Sequence, residues 1–173
     1  IRAEILQRHT AALRWLAFFL LAAALAAPCY GQSAPVWKTG QTIRYYSGDD
    51  GALERGVAWP EPRFTNPDGT DPVSGDVVLD QLTGLVWARN ADIAEGTVTW
   101  QQALAAITDM NSGIGTYGYT DWRLPNRKEL RSLMAYSQYN PALPLEHPFT
   151  SVQAAGYWSS TTNAVNTSYA WAV

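Results

Sequence analysis

Asp121-Trp122-Arg123-Leu124-Pro125-Asn126 brings a carboxylate, an indole, a guanidinium, a leucine and a helix-launching Pro-Asn pair together in one short stretch. In an extended backbone alternate side chains share a face, so Asp121 and Arg123 fall on one side and Trp122 and Leu124 on the other. Pro125 biases Leu124 away from helix. Asn126 can then cap a helix, and Glu129, three residues on, completes a capping box. The segment reads as a junction: Trp122 and Leu124 pack inward, and Arg123 pairs with a carboxylate such as Asp121 or Glu129.

Working outward, the helix launched at Asn126 is expected from about Arg127 to Tyr136, with Leu130, Leu133 and Met134 inward and Arg127, Lys128 and Arg131 in solvent. Upstream, Asn111 to Tyr119 is a glycine-rich loop that lacks the spacing and lysine of a phosphate cradle. Before it, Thr99 and Gln102 form a capping box, and Trp100, Ala103, Leu104, Ile107 and Met110 recur at helical spacing. Val77-Val78-Leu79 and Leu85-Val86-Trp87-Ala88 read as a hairpin around Asp80 to Gly84. Downstream, Pro141, Pro144 and Pro148 break up a loop containing His147, and two stretches, Tyr157 to Thr162 and Tyr169 to Val173, alternate like strands. Trp87, Trp100, Trp158 and Trp171 sit in these elements and are taken, with Trp122, as structural. A domain ending on Trp171-Ala172-Val173 would lack a polar tail, so further strands after Val173 are expected.

The N-terminal third divides in two. Arg2, Arg8 and Arg14 precede the apolar run Trp15 to Ala27, which is too short to cross roughly 30 Å of hydrocarbon but suits a secretory leader. Residues 1–31 are read as a signal peptide, with cleavage after Gly31; Pro28 before Cys29 disfavours a lipoprotein. Removal takes away the single Cys and one of the two His, so neither a disulfide nor a Cys/His zinc cluster can be built from the remainder. Residues 32–75 form a turn-rich arm with clusters such as Asn66-Pro67-Asp68-Gly69, one strand expected at Thr42 to Tyr46, and packing through Trp59 and Phe64. Residues 76–173 carry the domain.

The formal net charge is −3 with 12 basic residues in 173, and no basic tract occurs. Nucleic acid and anionic membrane surfaces are therefore not the expected partners, and after leader cleavage nothing spans a membrane. A Ser-His-Asp hydrolase would need His147 with Ser159 or Ser160, but no Gly-x-Ser-x-Gly elbow is present. Asn66, Asp68 and Asp71 offer oxygen ligands of the kind calcium takes, yet the bidentate Glu of a complete loop is missing and the same residues make turns unaided. No cofactor is implied.

Several signatures follow in order: Thr83-Gly84-Leu85-Val86-Trp87, Trp100-Gln101-Gln102-Ala103-Leu104, Asp121 to Asn126 with Glu129-Leu130, and Tyr157-Trp158-Ser159-Ser160-Thr161 followed by Ala170-Trp171-Ala172-Val173. Together they resemble the Lcl C-terminal domain family, a bacterial domain of unknown function. The resemblance implies an α+β, C-type-lectin-like fold of two helices on short antiparallel strands with extensive loops, in an exported protein of the periplasm, cell surface or medium. For the family's namesake it implies adhesion through sulfated glycosaminoglycans aided by a collagen-like region; this chain has no Gly-X-Y repeat. The fold superfamily also contains formylglycine-generating enzymes, whose active-site cysteines are absent after leader removal.

The function expected is thus a non-enzymatic recognition or adhesion module, with cell-surface glycans as possible ligands. The alternative is a structural or assembly domain of a larger envelope protein. Ligand contacts are expected on the loop side, at Tyr117, Tyr119, Tyr139 and His147.

Overall fold

In the computed structural model, which describes residues 36–173, the expected hairpin forms from Val77–Asp80 (β2) and Leu85–Ala88 (β3), in the register Val77 to Ala88 through Asp80 to Leu85. Gly84 makes the turn at φ 71°, a left-handed conformation glycine adopts without penalty. Asp80 fixes that turn from inside. Its fully buried carboxylate accepts from the backbone N–H of Leu82 (3.1 Å), the Thr83 hydroxyl (3.0 Å) and the Arg63 guanidinium (3.0 and 3.2 Å). A second short strand, Phe64–Thr65 (β1), pairs antiparallel with β2, giving a three-stranded sheet in the order β1-β2-β3.

Arg63 ties this sheet to its surroundings. Its guanidinium lies 4.4 Å from the Trp59 ring centroid and 4.8 Å from that of Phe64, and one nitrogen donates to the Ser132 carbonyl at 2.7 Å. Being buried, such a pair holds only because both ends are also hydrogen-bonded. The core beside it is small: Phe64, Val78 and Leu133 are buried, with Trp87, Leu130 and Phe149 among the partly covered residues packed on them.

The arm from residue 36 to 75 belongs to the same compact unit as the rest of the described chain. Trp59 donates its ring N–H to the Lys38 carbonyl at 2.7 Å, and Phe64 enters the core. The strand expected at Thr42 to Tyr46 does not form. The backbone amides of Tyr45 and Tyr46 donate to the Asp49 carboxylate (2.8 and 3.0 Å) instead of to a neighbouring strand. Asp49 also caps a single helical turn, Asp50–Leu53 (α1), and these N–H donors hold its carboxyl below the usual carboxylate range.

Trp100–Met110 (α2) carries the expected Thr99–Gln102 capping box. Its covered face runs through Ala103, Ile107 and Met110, whereas Leu104, expected inside, is 40% exposed. The next helix, Arg127–Ser132 (α3), has the Asn126–Glu129 capping box but stops short of Tyr136. The backbone donors beyond it turn elsewhere: the Ala135 N–H donates to Ala142 and the Tyr136 N–H to Thr39, while Arg63 takes the Ser132 carbonyl. Trp158–Thr162 (β4) and Ala170–Ala172 (β5) form a second antiparallel sheet with an irregularity between their paired ends. The architecture is α+β, with few helices and two small antiparallel sheets. Among the described residues no helix is long and apolar enough to cross a membrane.

Candidate functional site

The junction is held at nearly every residue. Asn111, the C-cap of α2, grips the backbone of Trp122 at both groups: its side-chain amide donates to the Trp122 carbonyl (2.8 Å) and its side-chain oxygen accepts the Trp122 N–H (2.7 Å). The indole N–H donates to the Thr116 carbonyl at 2.9 Å, and Tyr117 and Tyr119 meet the ring edge-on at 6.4 and 5.6 Å. Gly115, at φ 76°, lets the loop close on itself, since a Cβ there would collide with the Tyr119 carbonyl. The glycine-rich loop is thus a collar around Trp122.

Beyond the indole, Arg123 takes Glu129 rather than Asp121, through two bonds of 2.7 and 2.8 Å. Glu129 also accepts the Asn126 N–H at 2.8 Å. The guanidinium first, and that N–H second, lower the Glu129 carboxyl pKa against the opposing effect of burial. The junction is tied to β4 by the Ser160 N–H donating to Pro125 and the Arg127 N–H donating to the Thr161 hydroxyl.

Trp122 and Leu124 do not close onto a filled core. They front a cleft of about 1180 Å³ that reaches from β3 across α2 to the β4–β5 sheet. Leu85, Trp87, Ile107, Leu124, Phe149 and Trp158 supply carbon surface. The charged side chains in its lining are Asp92, Asp121, Arg123 and Glu129, and Arg123 and Glu129 neutralise one another. A concave, largely apolar depression with a few polar groups is the form that binding sites take. Nothing in the sequence announced it, because each strand and helix reads correctly alone and the cleft arises from what their inner faces fail to meet.

Of the four residues expected to contact a ligand, Tyr119 lines the cleft. Tyr117 stands beside it on Trp122, and Tyr139 is 89% exposed on the proline-rich loop. His147 lies 6.1 Å from the Phe149 ring, and its Nδ1 is buried without a partner among the described residues. Burial lowers its pKa. Among the tryptophans read as structural, Trp87 is partly covered against the core. Trp100 starts α2, and Trp158 donates its ring N–H to Val98 at 2.9 Å. Trp171 is 40% exposed, with the Arg127 guanidinium 4.2 Å from its ring centroid.

The calcium candidates serve the arm's turns. Asn66 donates to Thr70 and Pro72 and accepts from Ser74 and Gly75, while Asp68 accepts from the Thr70 N–H and hydroxyl. Asp71 is exposed. Among the described residues no group of three or more His, Cys, Asp or Glu side chains is arranged to hold a metal ion. Ser159 is fully buried and donates to the Trp171 carbonyl at 2.6 Å, which keeps its hydroxyl inside the β4–β5 sheet.

No curated protein and no solved structure matches the chain. A family model does: that of the Lcl C-terminal domain matches residues 76–173, which takes in β2, β3, the α2–α3 junction, the cleft and both strands of the second sheet. The chain belongs to the Lcl C-terminal domain family.

Proposed function

We propose that this domain is a non-enzymatic recognition or adhesion module of an exported protein, and that the cleft between β3, α2 and the β4–β5 sheet is where it binds. The observation that carries the reading is the cleft: a large concavity lined by Leu85, Trp87, Trp122 and Trp158 in a fold whose buried core is small. Exposed apolar surface of this extent is costly in water unless something covers it. A catalytic set would need a nucleophile and a base within reach of one another. Of the groups a hydrolase would draw on, His147 packs beside Phe149 and Ser159 spends its hydroxyl on the Trp171 carbonyl, while Ser160 is exposed on β4.

The C-type-lectin-like assignment belongs to the same proposal and is supported by two helices and short antiparallel strands joined by long irregular connections over residues 76–173. Export rests on the leader read over residues 1–31. Cell-surface glycans fit the cleft less well than an apolar partner, because its lining offers few polar groups for hydroxyls. An assembly domain of a larger envelope protein would use the same surface as a permanent joint.

Titration of the purified protein, followed by tryptophan emission, separates these uses. Candidate peptides and glycosaminoglycan fragments are added in turn, alongside generic esterase and glycosidase substrates. Saturable, reversible quenching by a peptide or glycan without turnover is expected. Turnover of a substrate with no saturable binding would overturn the proposal.

A further inference from the structure

Within the proposed recognition function, the chemistry of the cleft specifies its occupant. β3 is the end strand of its sheet and pairs with β2 alone among the named strands of the described residues. Antiparallel pairs alternate between residues that exchange hydrogen bonds and residues whose N–H and C=O point the other way. The Arg89 N–H donates toward β2, to Asp76 at 2.8 Å, which sets the alternation: in this register Val78/Trp87 is the bonded pair, and Val77/Ala88 and Leu79/Val86 are the non-bonded ones. Val86 and Ala88 therefore direct their backbone groups away from β2. All four β3 residues line the cleft.

The free edge has a defined length. Just past Ala88, Thr150 takes over the edge, donating to the Arg89 carbonyl and accepting the Ala91 N–H, both at 2.9 Å. The unpaired stretch is thus the four residues of β3, enough for one short strand. Exposed strand edges recruit further strands by main-chain hydrogen bonds, with side-chain pockets giving selectivity.

Charge narrows the choice. With Arg123 and Glu129 paired, Asp92 and Asp121 are the remaining charged groups of the lining, and neither has a cation within salt-bridge distance among the described residues. Asp92 accepts from the Gly96 N–H and the Gln153 amide, which leaves its charge uncompensated. Asp121 is exposed.

We infer that the cleft receives an extended segment of a partner polypeptide, apolar at alternate residues and bearing Lys or Arg at its ends, which adds as a strand to the free edge of β3. The alternate apolar side chains cover Leu85, Trp87 and Trp122, the strand backbone meets Val86 and Ala88, and the basic ends meet Asp92 and Asp121.

The test uses a capped peptide in which valine alternates with threonine between terminal lysines, added to the purified protein while amide hydrogen exchange is followed by NMR. Binding should slow exchange at Val86 and Ala88 by about tenfold or more, with little change at Trp87, which pairs with Val78 of β2. The same peptide N-methylated on the edge facing β3 should bind about tenfold more weakly or not at all. Replacing its lysines with glutamates, or making Asp92→Asn or Asp121→Asn, should weaken it about two- to fivefold. Equal binding of the N-methylated peptide, or binding that leaves β3 exchange unchanged, overturns strand addition while leaving recognition at the cleft standing. Val86 and Ala88 amides protected in the free protein overturn the partner assignment. Protection independent of concentration places the covering strand within the chain, and concentration-dependent protection places it in a second copy. No binding by any peptide or glycan overturns this inference and the recognition reading together.

Discussion

Replacing Trp122 with alanine probes the junction most directly, because its single side chain links the glycine-rich loop to the cleft wall, while the bonds from Asn111 to its backbone remain. Trp122 is half-buried. If about half of the roughly 150–250 Å² that an indole can bury is covered, the transfer contribution at about 25 cal/mol per Å² is about 2–3 kcal/mol. The ring N–H bond to Thr116 adds about 1 kcal/mol. The edge-on contacts with Tyr117 and Tyr119 contribute about 0.5–1.5 kcal/mol each. These terms overlap, so Trp122→Ala should cost about 3–5 kcal/mol, within the range for large-to-small core changes. Trp122→Phe keeps an aromatic ring and removes the N–H donor, and should cost about 1–2 kcal/mol. Urea denaturation followed by far-ultraviolet circular dichroism reads both without depending on tryptophan emission. A wild-type midpoint for Trp122→Ala would refute the anchoring role. Equal losses for the two variants would refute the division between packing and hydrogen bond.

Asp80→Ala should destabilise by about 3–5 kcal/mol by stranding the buried Arg63 guanidinium, whereas Arg63→Met with Asp80→Leu should recover most of that loss; no recovery in the double variant would show that the backbone bonds of Asp80 dominate. Glu129 has a folded pKa below its unfolded value, so its contribution is present above about pH 4.3 and is lost as pH falls through the folded pKa. The stability gap between wild type and Glu129→Gln should accordingly shrink in acid, and Arg123→Gln should flatten it. Neutral His147 is the form the fold prefers, since burial depresses its pKa. Stability should be full above about pH 6.5 and fall as pH drops through the lowered folded pKa, a slope that His147→Phe should reduce. Thermal unfolding between pH 3 and 8 measures both effects.

The local grammar of the chain was legible from sequence because it depends on neighbours. Thr99 with Gln102 and Asn126 with Glu129 form capping boxes in which each residue answers one three positions away, and the β2–β3 hairpin follows from alternation around a glycine turn. Contacts made across the chain were not legible. The end of α3 is set among distant partners: Ala142 and Thr39 take the Ala135 and Tyr136 amides, and Arg63, some seventy residues earlier, takes the Ser132 carbonyl. The absence of a strand at Thr42 to Tyr46 depends on one carboxylate, Asp49, drawing two amides out of the extended pattern. Asn111 could have been suspected, since asparagine at a helix end commonly bonds to nearby backbone, but its partner Trp122 lies beyond a loop whose closure no periodicity reveals. The same limit applies to the site. Tyr117 and Tyr119 stood out as exposed-loop aromatics, yet both meet the Trp122 ring edge-on, and the cleft that Tyr119 lines is made by inward faces that all read as ordinary core.

Whether β3 is a receiving edge can be decided by NMR of the protein with the lysine-ended valine–threonine peptide, looking for nuclear Overhauser effects between the peptide's backbone protons and the amides of Val86 and Ala88. Strand addition gives a ladder of cross-strand contacts at those two residues, together with contacts from the valine methyls to Trp87 and Trp122. A bound peptide whose contacts lie elsewhere on the surface, with β3 unchanged, would contradict it.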